Sequence, residues 1–157
     1  MNEVIRVRAG AIIIERERIL LIKYSDQHGM HYNLPGGGIE PGEAAEQAVK
    51  RELREEACVD IRVGELAFVY EYLPQFNNNR YGVVASLQLM FDCRLAENQT
   101  PKQPMEPDPH QSGVSWIPLN QLHRVTFYPN LSKELLEYAK SGSSIPLIKE
   151  QDLDQYS

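Results

Sequence analysis

The sequence has little of what marks a disulfide-stapled scaffold, a membrane protein or a broad nucleic-acid surface. Its only cysteines, Cys58 and Cys93, lie far apart. They are too few for a disulfide framework or a cysteine-based zinc site, and two reduced thiols in a cytoplasmic protein are the expectation. The opening residues MNEVIRVRAG lack the apolar core of a secretory leader, and no apolar run approaches the length of a membrane span. Basic charge is scarce. Sixteen Lys and Arg against 22 Asp and Glu leave a net charge of −6, which argues against an extended nucleic-acid surface but not against a small phosphorylated substrate whose charge a metal carries. Internal repeats, low-complexity tracts and linkers are also missing. The 157 residues therefore read as one domain with room for a real core.

What is present is concentrated in residues 36–59, GGGIEPGEAAEQAVKRELREEACV. Three glycines open it, Pro41-Gly42 turns it, and residues 43–57 form a run without Gly or Pro that reads as one helix. On a helical wheel Glu46, Gln47, Lys50 and Arg54 form the solvent arc, and Ala45, Ala48, Val49 and Leu53 the apolar arc. Glu52, Glu55 and Glu56 point into the apolar arc, so a solvated acidic face does not account for them. Inward carboxylates repel one another and lose water, which costs several kcal/mol each without compensation. Arg51 serves one of them. A divalent cation serves the set, and hard oxygen ligands select Mg²⁺ or Mn²⁺. Glycine backbone beside them can approach a metal or a phosphate closely.

The segment resembles the Nudix box, G-x5-E-x7-R-E-U-x-E-E-x-G-U with U a bulky aliphatic. Gly37, Glu43, Arg51, Glu52, Leu53, Glu55, Glu56 and Val59 match at the required spacing. Cys58 stands where the family usually has glycine, at a helix exit that needs a left-handed residue. The resemblance implies an α/β fold, an α/β/α sandwich with a mixed β-sheet. The expected division is a Nudix domain over residues 1–142 and a tail over 143–157, flexible or docked through Ile145, Leu147 and Ile148. The implied activity is divalent-metal-dependent hydrolysis of a pyrophosphate linkage in a nucleoside diphosphate joined to another group. Glu52, Glu55, Glu56 and Gly37 would hold Mg²⁺ or Mn²⁺. Glu52 or Glu55 would act as general base, with Arg51 in the catalytic set and paired with Glu43. Gly36, Gly37 and Gly38 would offer backbone to the substrate phosphates. An acidic residue in the Pro-rich loop, Glu106 or its neighbour Asp108, would reach the site, with Glu106 placed among the substrate contacts. A non-hydrolytic nucleotide-binding module is the alternative, disfavoured because every acidic position of the box is kept. A calcium-binding domain lacks EF-hand spacing.

Elsewhere the pattern is strand-rich. Residues 4–14 and 19–23 read as a hairpin around the charged turn at 15–18, and 25–32 as a polar loop in which His28 and His31 are incidental. In residues 59–73, Phe68, Tyr70 and Tyr72 share one face. Sheet packing is the main reading for them, with Tyr72 also a candidate for stacking on a base. Residues 81–95 alternate, with Val83, Ala85, Leu87, Leu89, Phe91 and Cys93 expected inward. Residues 97–111 are a Pro-rich loop, and GVSWIPL at 113–119 is a strand that places Trp116 in the core or a pocket wall. Asn130 is the expected cap of a last helix with Leu131, Leu135, Leu136 and Ala139 inward, ended by Gly142. The partner expected is a small nucleotide, with no membrane, with nucleic acid disfavoured and with a homodimer left open. Oxidised deoxynucleotides, ADP-ribose, nucleotide sugars, dinucleoside polyphosphates and capped RNA ends all remain open as substrates.

Overall fold

Residues 19–22, ILLI, are all fully buried, and their side chains alternate between two separate apolar clusters. Ile19 and Leu21 join one, Leu20 and Ile22 the other. A strand buried on both faces reads as an unbroken apolar run, and it implies layers on both sides. The computed structural model describes residues 4–27 and 29–156, so the expectation for His28 lies outside the described residues. It contains strands β1 (Ile5–Ile12), β2 (Ile14–Glu15), β3 (Arg18–Asp26), β4 (Gly29–Asn33) and β5 (Gly36–Gly38), then helix α1 (Ala45–Ala57). Strands β6 (Ile61–Tyr72), β7 (Ala85–Leu95) and β8 (Gln111–Pro118), helix α2 (Ser132–Ser141) and strand β9 (Ile148–Lys149) follow.

One sheet has the order β5-β1-β7-β6-β9, with β1–β7 and β6–β9 parallel and the other pairs antiparallel. The second is built on β3, which pairs with β2, β4 and β8. Helix α1 buries Ala48, Val49, Leu53 and Ala57 against Ala9, Ala11, Leu20 and Ile22. Helix α2 buries Leu135 and Tyr138 in the cluster that holds Ile19, Leu21, Phe68 and Tyr70. Helices thus cover both faces, the sandwich with mixed strands that the sequence implies.

Several local expectations need correction. The opening hairpin is β2–β3; β1 stops at Ile12 and joins the other sheet, because the chain changes sheets at Ile13. Residues 25–32 are not a free loop, since β3 and β4 pair from Ile22↔Asn33 to Asp26↔Gly29. On β7 Cys93 is buried as expected, but so is Met90 of the opposite parity, while Val83, before the strand, is 78% exposed. The reason is that β7 is covered on both faces: Phe91 and Cys93 meet the cluster beneath α1, and Met90 the cluster that α2 joins. Asn130 does not cap α2, which has no side-chain cap. Its amide donates to the Asp154 carbonyl at 3.1 Å, and its Oδ1 accepts from the Ser132 hydroxyl at 2.8 Å. Tyr138 is buried in place of Ala139, and Gly142 ends the helix at φ 65°. Trp116 packs at the edge of the cluster beneath α1, with the Arg18 guanidinium 5.2 Å above its ring. Ile148 and Leu153 are buried, whereas Leu147 is 48% exposed.

Candidate active site

Strand β5 is short because it is all glycine, and glycine is what its position demands. It lies antiparallel to β1 with Ala9 opposite Gly37 and Arg8 opposite Gly38, and α1 crosses directly over it. A Cβ on Gly37 would lie 2.3 Å from Glu52 Oε1, so any side chain there would displace that carboxylate. A Cβ on Gly38 would lie 2.8 Å from Arg6 Nη2. The glycine strand is therefore clasped between an acidic helix face and a basic strand face.

Arg51 organises the acidic side. Its Nε and Nη2 donate to the two Glu43 oxygens at 2.8 and 3.0 Å, its Nη1 donates to Glu52 Oε1 at 2.8 Å, and Nη2 also reaches the Gly38 carbonyl at 2.9 Å. The bidentate pair holds Glu43, just before the helix, against α1. It keeps the Glu43 carboxyl below its usual range, the Arg51 hydrogen bond being the main cause. Glu52 is buried, and loss of water raises its pKa although Arg51 opposes this.

Glu56 is only 2% exposed. Its Oε1 accepts the Gly36 N–H at 2.8 Å and its Oε2 the Tyr24 hydroxyl at 3.1 Å. Burial pushes its pKa up to about 8; the Gly36 N–H opposes this, while Glu52 and Asp108 add to it. Glu55 departs from the expectation. It is exposed at the rim, and Arg51 Nη1 approaches it only at 3.4 and 3.5 Å. One step of about 100° per residue separates it from Glu56 on the wheel, enough to leave the buried face. Among the described residues no three acidic, His or Cys side chains are gathered as a ready cation cage. Arg51, Gly36 and Tyr24 occupy the carboxylate oxygens instead. The donors nevertheless suit a hard cation, since two buried carboxylates one turn apart face glycine backbone that no side chain obstructs.

Beside this lies a cavity of about 420 Å³. Arg8 belongs to both: it lines the cavity, and burial and then Arg6 lower its pKa while Glu56 and Glu52 partly oppose this. Tyr70, Tyr72, Tyr81 and Tyr128 form aromatic wall, with Asn33, Ser86 and Gln88 between. Rings run in sequence from Tyr24 through His31 and Tyr128 to Tyr81 and Tyr72, at centroid spacings of 5.7, 5.0, 5.4 and 5.8 Å. Tyr72 is itself only 3% exposed. Its hydroxyl donates to the Gly82 carbonyl at 2.8 Å and accepts the Tyr81 N–H at 3.0 Å, so it braces the wall. Asn33 Oδ1 is buried and has no hydrogen-bond partner among the described residues.

Of the two loop acids, Asp108 is close enough to raise Glu56 and Tyr24. Exposed Glu106 has no hydrogen bond or ion pair with the box among the described residues. Gln111, absent from the sequence reading, donates to the Glu56 carbonyl at 2.8 Å and fixes the end of that turn. Arg6 and Arg8 were also unread, though two arginines on one parity of a strand that becomes apolar at Ala9 are a visible signal. Cys58 is the C-cap in the left-handed region, φ 56° and ψ 37°.

Comparison with known proteins gives a consistent picture. A sequence profile of the NUDIX domain matches residues 4–138. A protein of Bacillus subtilis (strain 168), provisionally named 8-oxo-dGTP diphosphatase, is 26% identical over 139 residues, 87% of this chain and 83% of that one. Nucleoside triphosphatase NudI of Escherichia coli O1:K1 / APEC is 32% identical over 93 residues, and the match spans 51% of this chain and 62% of NudI. The solved structure of a NUDIX hydrolase from Nitrosomonas europaea superposes with a TM-score of 0.73 over 98% of both chains at 21% identity.

Proposed function

Because this chain belongs to the Nudix family of pyrophosphohydrolases, we propose that it cleaves, with a divalent cation, a phosphoric anhydride bond in a nucleoside diphosphate joined to another group. The observation that carries this reading is the shared position of Arg8, between the Glu52–Glu56 carboxylates and the tyrosine-walled cavity. A nucleotide needs both halves: aromatic walls for a base, and cationic and metal-binding groups for its phosphates. Asn33 Oδ1, buried in the cavity lining without a partner among the described residues, is an acceptor for an N–H of the base.

In this reading Glu52 and Glu56, with Glu55 at the rim and the Gly37 backbone, hold Mg²⁺ or Mn²⁺. The ion, when bound, neutralises phosphate charge and lowers the pKa of water. Arg6 and Arg8 draw the diphosphate over Gly38. Water attacks one phosphorus, the bond from that phosphorus to the bridging oxygen breaks, and the proton of the water passes to the carboxylate set. Glu52 is the base held closest to Arg51, and its proton affinity belongs to the coupled set. Arg51 fixes the Glu52 carboxylate and ties the helix to the glycine strand.

The test is a panel incubated with Mg²⁺ and Mn²⁺, with products identified by mass. It holds ADP-ribose, nucleotide sugars, dinucleoside polyphosphates and capped RNA, together with nucleoside triphosphates and 8-oxo-dGTP, for which two relatives are named. Turnover of at least one compound, abolished by EDTA, is expected. Tight binding of nucleotides with no turnover by either metal would make the protein a binding module instead.

A further inference from the structure

Residues 145–156 lie beyond the segment that the family profile matches, yet they brace three of the cavity's tyrosines. The Ile145 N–H donates to the Ala67 carbonyl, and β9 lies parallel to β6 with Ile148 opposite Tyr70. Arg80 donates to Gln155 Oε1 at 2.8 Å and to the Tyr156 carbonyl at 3.2 Å. The Tyr156 ring meets Tyr128 edge-on at 5.7 Å. The central member is Glu150, 1% exposed between the exposed Lys149, Gln151 and Asp152. Its Oε2 accepts the Tyr70 hydroxyl at 2.9 Å, and its charge is felt by Tyr81.

Packing alone gives no reason for a carboxylate there. Burying one is costly even when it is paired, and an apolar side chain of similar size would fill the space more stably. What a carboxylate adds is a directional acceptor that fixes hydroxyls. We propose that Glu150 is a positioning residue for the cavity: its carboxylate holds the Tyr70 hydroxyl in the wall, so that residues 145–156 set how tightly a nucleotide is held. The inference rests on the reading of the cavity as the nucleotide site. Burial raises the Tyr70 hydroxyl far above its usual range, with Glu150 adding to this, so it stays protonated and keeps donating.

The experiment compares the full-length parent with Glu150→Ala, Glu150→Gln, Tyr70→Phe and the Glu150→Ala/Tyr70→Phe pair. It measures kcat and KM on the best substrate of the panel, calorimetric binding of the nucleoside monophosphates without metal, and thermal unfolding. Glu150→Ala should raise KM and weaken monophosphate binding by about tenfold while kcat stays within about threefold. Glu150→Gln, whose amide oxygen still accepts from Tyr70, should stay near the parent. Tyr70→Phe should match Glu150→Ala, and the pair should be no worse than either alone, because both remove one interaction. A lower melting temperature with unchanged KM and binding, or additive effects in the pair, would overturn the inference. Should Glu150→Ala not fold, parental KM and binding in Tyr70→Phe overturn it equally. A parent that binds monophosphates without turning anything over sinks the hydrolase reading, and weaker binding by Glu150→Ala still upholds the positioning role. A parent that neither binds nor turns over sinks both.

Discussion

Glu56 and Glu150 are both buried almost completely, 2% and 1% exposed, yet they keep opposite company. Around Glu56 stand Glu52 and Asp108, and its direct donors are one backbone N–H and one hydroxyl. Around Glu150 stand Tyr70, Gln155 and the positive charge of Arg80. Burial raises both carboxyl groups; Glu52 and Asp108 push Glu56 further up against the Gly36 N–H and the Tyr24 hydroxyl, while Tyr70, Gln155, Arg80 and Tyr81 all act to lower Glu150. Depth alone therefore does not mark a metal site. What separates the two is the sign of the nearest charge: Glu150 has Arg80 beside it, whereas Glu56 has Glu52 and Asp108 beside it and is the one we propose a cation completes.

The variant that breaks this comparison most strongly is Glu56→Gln, which keeps the shape and can no longer ionise. Turnover should fall by about 100-fold or more, while the metal-free melting temperature stays level or rises. Mg²⁺ or Mn²⁺ should raise the melting temperature of the parent more than that of the variant, since only ion bound to the folded state stabilises it. Glu150→Gln should leave that metal response intact. If Glu56→Gln unfolds much earlier in EDTA and still responds to metal like the parent, Glu56 is a structural partner and the contrast is lost.

A smaller effect sharpens the same contrast through pH. Without metal, the folded protein holds a proton on Glu56 that the unfolded chain releases, over the window from 4.5 to about 8. The folded state binds more protons there, so stability is full at the acid end and falls as pH rises through the window. Glu52, also raised by burial, acts in the same direction. Glu43 acts oppositely: its stabilisation is present at neutral pH and lost only as acid protonates it. Urea midpoints in EDTA at about pH 5, 7 and 9 should decline in the parent and decline less steeply in Glu56→Gln, where the raised Glu52 and Glu150 still contribute. An equal decline in both would assign the pH dependence to other groups.

The difference between the two glutamates also explains what could be read from the chain. Glu52 and Glu56 were legible because one helix fixes their direction, and local spacing alone puts them inward. Glu55 was misread because an arc drawn on a wheel has no sharp edge, and the rim begins within one residue. The α/β/α layers were legible from the apolar runs and the box, but the exchange of sheets at Ile13 was hidden by its apolar neighbours on both sides. The cavity was largely illegible. Arg8, Asn33, Tyr70, Tyr81 and Tyr128 converge from separate strands and loops, and no local pattern encodes that meeting. Glu150 sits in the polar run KEQD at 149–152, which looks solvated until its tertiary partners are known.

The mildest prediction concerns the exit of the helix that carries Glu56. The Cys58 N–H closes on the Arg54 carbonyl at 3.2 Å and the Val59 N–H on the Leu53 carbonyl at 3.4 Å, a geometry that requires the left-handed conformation seen at φ 56°. A side chain there costs about 1 kcal/mol relative to glycine. Glycine relieves that cost but gives the unfolded chain more freedom, so the net gain from Cys58→Gly should be about 0.5 kcal/mol. In a chain of this size that raises the melting temperature by about 1–2 °C. The thiol is not bound in a disulfide and lies past the carboxylates, so kcat and KM should remain at parental values. Thermal unfolding in EDTA alongside turnover decides the matter. A large loss of turnover with the fold intact would give Cys58 a part in the chemistry, and a drop in melting temperature would mean that its side chain packs more usefully than its backbone strains.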